Sequence, residues 1–224
     1  RGVLDLVPGD IRLVSVGKRA GRHSKDQKSI DALLVEAALA GEKVVRLKGG
    51  DPSIFGRANE ELAACHEHGI PVRICPGITA ASASAASLGQ SLTLRGTARR
   101  LTFVTAHTTK GKLLELDWEA LADPQATLAI YMGKSSAREM ANGLMGAGLP
   151  GSTPVALVEN ASLPGERIFH TSLALLPIAA RVALGDGPAL LLIGKAMKLE
   201  GRCAGQQNSG PGVEGSFRAI PVED

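Results

Sequence analysis

The 224-residue sequence predicts an α/β protein in two halves, each built round a largely parallel sheet. Three observations carry this. Short runs rich in β-branched residues alternate with longer stretches of helical period, the rhythm of strand–helix–strand units. Glycines close the helical stretches, and loops rich in glycine and proline follow the strands. The polar stretch from His107 to Lys112 interrupts this rhythm once, as a linker would, and the same rhythm then resumes.

In order, Ile11 to Val16 alternates as a strand, and Ser24 can cap a helix whose apolar positions are Ile30, Leu33, Leu34 and Ala37, ended by Gly41. Val44 to Leu47 reads as the next strand, Glu60 to His68 as a helix closed by Gly69, and Val72 to Cys75 as a third strand. Thr79 to Leu88 is a helix of small residues, and Leu101 to Ala106 is read as closing the first half, residues 1–106. After the linker at 107–112, the second half (113–199) holds strand Thr127–Met132, helix Ser135–Met145 and strands Val155–Val158 and Arg167–His170. A helix around Leu173 to Arg181 and strand Ala189–Ile193 complete it. The tail from 200 to 224 is rich in Gly, Ser, Gln and Pro and reads as mobile, with no function of its own.

Composition excludes several classes. No apolar run reaches membrane-spanning length, so no membrane is expected. A net charge of +3 with one tryptophan, one tyrosine and four phenylalanines gives neither a strong phosphate-binding field nor a stacking platform, so no nucleic acid is expected. Cys65, Cys75 and Cys203 are widely spaced and never CxxC, which points to a reducing, cytoplasmic setting without a disulfide frame or zinc site. No signal peptide is visible, and the sequence begins at Arg1 rather than methionine.

Several motif matches fail on context. Gly146-Ala-Gly148-Leu-Pro-Gly151 spells GxGxxG, but a helix precedes it and a strand follows, the reverse of the dinucleotide arrangement; it reads as a helix C-terminal loop. Gly50 to Gly56 lacks GK[ST] and is no ATP loop. His66 and His68 fall on different helix faces, which argues against a metal pair. Ser82, Ser84 and Ser87 read as close-packing residues.

What remains is a set of loops behind strands: Gly17 to His23 with Lys25, then Gly49-Gly50-Asp51-Pro52, Pro76-Gly77-Ile78-Thr79-Ala80 and Tyr131-Met132-Gly133. In a parallel sheet they share one edge and could line one cleft. The glycines fit either a tight turn or a ligand lying against bare backbone. The cations of the first loop, with Arg95, Arg99 and Arg100, fit either solvated surface or a polyanionic substrate.

The segments VGKRAGRHS, VVRLKGGDPSIFGR, PGITAA, LDWEAL, YMG and PVALVEN, in this order, resemble the tetrapyrrole methylase superfamily, and within it the uroporphyrinogen-III C-methyltransferase family. The resemblance runs from Leu4 to about Lys198. It implies two α/β domains with S-adenosylmethionine in the cleft between them, usually in a homodimer. It also implies an enzyme that methylates two pyrrole carbons of uroporphyrinogen III to give precorrin-2, for sirohaem and cobalamin, with S-adenosylhomocysteine as by-product. By the same resemblance Gly49, Gly50, Asp51, Ile54, Thr79, Ala80, Met132 and Ala161 contact the cofactor, and Lys18 is the proton donor. The many carboxylates of that substrate would be met by cations such as Arg19, Arg22, Arg95 and Arg99. No metal is required.

The sequence also departs from the family pattern. The family's opening strand, its GxGPGD loop and a Tyr-Asp whose aspartate accepts the proton have no counterpart. Roughly forty residues of the usual first domain are missing by this alignment, judged against a βαβ unit of about thirty. Leu94 replaces a histidine, Ala106 a glycine, and Ala58-Asn59 the usual Gly-Gly. Two alternatives follow: a precorrin methyltransferase acting at another ring carbon, or a truncated protein that binds cofactor or tetrapyrrole without turnover.

Overall fold

The computed structural model describes residues 3–17, 26–106 and 115–199. Its centre is a five-stranded sheet of order β1-β2-β5-β3-β4, from β1 (Arg100–Thr105), β2 (Ala126–Tyr131), β3 (Pro154–Glu159), β4 (Arg167–Ser172) and β5 (Ala189–Ile193). β1 and β2 run parallel, whereas the β2–β5, β5–β3 and β3–β4 pairs are antiparallel. The sheet is therefore mixed, not parallel as the alternation predicts. The reason is connection length. The loop 160–166 between β3 and β4 can only turn a hairpin, because a parallel crossover needs a dozen or more residues.

Period-two alternation divides the strands between two cores. Leu128, Ile130, Val155, Leu157, Leu191 and Ile193 face one side. There they meet Met140 and Leu144 of α5 (Ala137–Gly146) and Leu176 and Ala180 of α6 (Leu176–Ala183), with the short α4 (Trp118–Leu121) at the margin. Ala129, Ala156, Val158, Leu190 and Leu192 face the other side and take Ala81 and Leu88 of α3 (Ala80–Leu88). The alanines on this face leave room for α3, whose sequence AASASAASL presents almost no bulk. α3 comes from the first half of the chain, so its burial fastens that half to the five-stranded sheet.

The first half differs most from expectation. α1 (Gln27–Leu39) and α2 (Ala58–Glu67) form and pack on each other, burying Ile30, Val35 and Cys65. Ser24 lies outside the described residues, and Asp26 caps α1 by accepting from the Ser29 N–H at 2.8 Å. Gly41 and Gly69 follow their helices with positive φ, the left-handed turn that glycine allows. The predicted strands Ile11–Val16, Val44–Leu47 and Val72–Cys75 carry no ladder among the described residues, and Leu13, Val45 and Ile74 are exposed. Alternation marks a segment as extended and half-apolar; it does not supply a partner to bond with. The strand predicted to close the first half is β1, which pairs with β2 as an edge of the five-stranded sheet instead. The linker at 107–112 and the tail at 200–224 lie outside the described residues.

Candidate active site

A cleft of about 1080 Å³ opens where β2 and β3 end and the antiparallel β5 begins, against the first half. Three backbone features shape it. Gly50 has φ +82°, and a side chain there would touch the Ile78 carbonyl at 3.5 Å. Gly77 lies so close to Gly50 that a Cβ would sit 2.6 Å from the Gly50 carbonyl oxygen, so the two loops meet only because position 77 has no side chain. At the end of β2, Met132 takes φ +56°, and across the cleft Asn160 and Ser162 take +55° and +61°. Left-handed backbone at such residues costs about 1–3 kcal/mol each and gathers where a ligand is held.

The sequence-predicted site residues separate into three groups. Gly49, Gly50, Ala80, Met132 and Ala161 all line this cleft, drawn from four separate segments. Asp51 and Thr79 stand directly beside lining residues, whereas Ile54 does not line the cleft and its N–H donates to the Asp51 carbonyl at 3.3 Å. Asp51 bridges the loops: its Oδ1 accepts from the Ser53 N–H at 2.7 Å and its Oδ2 from the Gly77 N–H at 3.1 Å. Those bonds, the one from Ser53 foremost, hold its carboxyl below the ordinary aspartate range. Thr79 shares a short hydrogen bond with the Tyr131 hydroxyl, which also accepts from the Ala81 N–H at 3.2 Å. Arg95 and Arg99 are exposed and do not line the cleft. Arg99 precedes β1, at the end of the sheet away from Met132, about 20 Å along the strand at 3.3 Å per residue. Lys18, Arg19 and Arg22 lie outside the described residues.

The chain matches the profile of the Tetrapyrrole (Corrin/Porphyrin) Methylases over residues 1–177. It belongs to that family. Among curated methylases it is 44% identical over 202 residues to the uroporphyrinogen-III C-methyltransferase of Paracoccus denitrificans, spanning 90% of this chain and 70% of that one. It is 43% identical over 196 residues to the siroheme synthase of Gluconobacter oxydans, spanning 88% of this chain but 41% of the relative. Among solved methylase structures, the uroporphyrin-III C-methyltransferase of Thermus thermophilus, complexed with S-adenosylhomocysteine, superposes with a TM-score of 0.71 at 35% identity. That match covers 87% of this chain and 81% of the other.

Three parts of this methylase cleft escaped sequence reasoning. The aromatic role of Tyr131 is one: its loop was expected at the cleft, but that the chain's single tyrosine, at the end of a buried strand, would anchor a ring cluster was a signal left unused. Its ring packs against Phe55 (centroids 4.9 Å apart) and Phe103 (5.8 Å), joining the GGD loop, β1 and β2. Ser84 is another. Read from sequence as packing, it is fully buried, lines the cleft, and its Oγ has no hydrogen-bond partner among the described residues. Lys134, Arg138 and Arg181 are the third, and they are the cations of the lining.

Proposed function

We propose that this chain carries out S-adenosylmethionine-dependent C-methylation of uroporphyrinogen III at two pyrrole carbons, giving precorrin-2. The observation that carries the reading is the convergence of Gly49, Gly50, Ala80, Met132 and Ala161 on one cleft, in a chain of the tetrapyrrole methylase family. The residues present suit the cofactor. Gly49-Gly50 offers bare backbone for close approach, and the buried Ser84 hydroxyl lacks the partner that a ligand would supply. The volume exceeds what a nucleoside-sized ligand needs and leaves room for part of a second molecule.

When bound, S-adenosylmethionine supplies an electrophilic methyl on a sulfonium sulfur, which a nucleophilic pyrrole carbon takes as the neutral thioether leaves. The protein's part is alignment and proton handling. The Asp51 bridge holds the GGD loop against the PGITA loop, so the cofactor wall is formed before binding. Phe55, Phe103 and Tyr131 form an aromatic support beside it. Lys18 carries the proton-donor role by family correspondence, and Arg19 and Arg22 meet substrate carboxylates. A part for Arg95 or Arg99 would be a long-range electrostatic one, given where they sit. This reading includes a homodimer in the cytoplasm.

Incubating the protein with uroporphyrinogen III and S-adenosylmethionine tests the reading. Mass spectrometry should find a tetrapyrrole with two added methyl groups, and proton NMR should assign both to pyrrole carbons. Methylation at another ring position favours the precorrin alternative, and binding of both ligands without transfer favours the non-catalytic one.

A further inference from the structure

Among the described residues, the ionisable side chains lining the cleft are Lys134, Arg138, Arg181 and Tyr131, with no carboxylate among them. Lys134 is engaged, donating from Nζ to the Gly185 carbonyl and so tying the loop before β5. Arg138 and Arg181 have no ion pair or side-chain hydrogen bond among the described residues, although Glu139 and Asp186 lie close in sequence. The two arginines come from facing helices. Arg138 is in the first turn of α5, and Arg181 follows Pro177 and Ala180 on the cleft-lining face of α6. The first turn of α5 adds to the positive field. Its N-cap Ser136 donates its hydroxyl to the Ala106 carbonyl rather than capping the helix, which leaves the N-terminal amides open.

We propose that Arg138 and Arg181 are specificity residues that bind the ring-side-chain carboxylates of the tetrapyrrole substrate. This rests on the functional reading above and names contacts that the sequence motifs did not contain. Two ligand sources offer a carboxylate here, the substrate's acid side chains and the amino-acid tail of the cofactor. The substrate fits better on two counts. Two separate guanidinium forks suit a ligand with several carboxylates, whereas the cofactor tail has one. Both arginines are exposed, and so placed to reach a ligand extending beyond the cofactor wall.

The test is equilibrium binding to the 224-residue chain, with uroporphyrin III as a stable stand-in for the reduced substrate and coproporphyrin III, which has half as many carboxylates, as its comparator. S-adenosylhomocysteine affinity is measured in parallel by calorimetry. Arg138→Gln and Arg181→Gln should each weaken uroporphyrin binding by roughly threefold to fivefold, the upper part of the range of an exposed charge pair. The preference for uroporphyrin over coproporphyrin should narrow, and S-adenosylhomocysteine affinity should stay within about twofold. Arg138→Lys, which keeps the charge but loses the fork, should fall between. Circular dichroism and melting temperature check that each variant is folded. Reduced S-adenosylhomocysteine affinity with unchanged uroporphyrin binding overturns the proposal and gives the pair to the cofactor. Unchanged affinity for both overturns it as well. A parent protein that binds no uroporphyrin fails the functional reading itself, a result distinct from a binding parent whose variants do not respond.

Discussion

At the residue scale, Asp51 shows how one carboxylate can be spent on shape. Both of its oxygens accept backbone N–H bonds, one within its own turn and one from Gly77 across the gap. A carboxylate accepts at more than two positions, so it can still meet a ligand, but its first effect is to join two loops. Asp51→Ala should weaken S-adenosylhomocysteine binding by calorimetry while leaving the sheet, followed by far-UV circular dichroism, intact. An unchanged affinity would remove Asp51 from the site. Tyr131→Phe separates a second contribution. It keeps the ring stack on Phe55 and Phe103 and removes the hydroxyl that holds Thr79 and the Ala81 N–H at the start of α3. The expected cost is about 1 kcal/mol in denaturant unfolding, with a parallel loss in cofactor affinity. Stability lost without any loss of affinity would make the hydroxyl purely structural.

At the scale of elements, helices were the most legible, because each carries its own bonds and its own start and stop residues. α2, α3 and α5 appear within a residue or two of expectation, and Gly69 and Gly89 take the left-handed conformation at their ends. Strands of the second half were equally clear, since unbroken apolar runs such as Ala189–Ile193 have few other uses. Their pairing was not clear, although the short gap before Arg167 held the clue to the hairpin. The first-half segments were legible as extended chain only, which carries a consequence for dynamics. Amides of Val44 to Leu47 and Val72 to Cys75 should exchange with solvent far faster than those of β3, whose strand is bonded on both sides. Protection equal to that of β3 would mean that these segments pair in solution.

The site was legible where it is made of backbone and small residues, and hidden where it depends on which helices face each other. Arg138 and Arg181 are 43 positions apart and share no motif. A different kind of pairing holds the first half together. Glu61 of α2, 7% exposed, meets Lys48 at 2.7 Å and Arg46 at 3.1 Å, on the segment that leads into Gly49. Burial raises the Glu61 carboxyl, but the Lys48 bond and the charges of Arg46 and Lys48 together outweigh it, so the group lies below the ordinary glutamate value. A depressed pKa gives stability that is fully present above the unfolded value, about 4.3, and is lost as pH falls through the lower folded one. Glu61→Ala, which strands two cations, should therefore cost on the order of 3 kcal/mol at neutral pH, with the difference from the parent shrinking in acid. A pH-independent difference would contradict the ion-pair account.

At the scale of the whole molecule, the cleft is where the two halves of the chain depend on each other. Gly49, Gly50 and Ala80 form one side, and Met132, Asn160 and Ala161 form the other. Among the described residues the protein's own links already cross this division, the β1–β2 ladder and the Phe55–Tyr131 ring contact among them. α3 lies on the Ala129–Ala156 face, Tyr131 reaches Thr79 and Ala81, and the Ser87 hydroxyl donates to Glu166 Oε2 at 2.6 Å while the Ser162 N–H donates to the same oxygen. A ligand touching both sides adds a further link and binds only the assembled state. It should therefore raise the unfolding free energy by about 2.7 kcal/mol when present at a hundred times its Kd. S-adenosylhomocysteine should raise the melting temperature and, in exchange experiments, slow the amides of both Gly49–Gly50 and Asn160–Ala161. Gly50→Ala puts a Cβ at φ +82° and 3.5 Å from the Ile78 carbonyl, directly on the first-half wall. It should reduce the ligand-induced shift more than it reduces the melting temperature of the free protein. Protection confined to the second half, with a full shift in Gly50→Ala, would mean that the ligand rests on the sheet side alone and that the glycine loop serves only the turn.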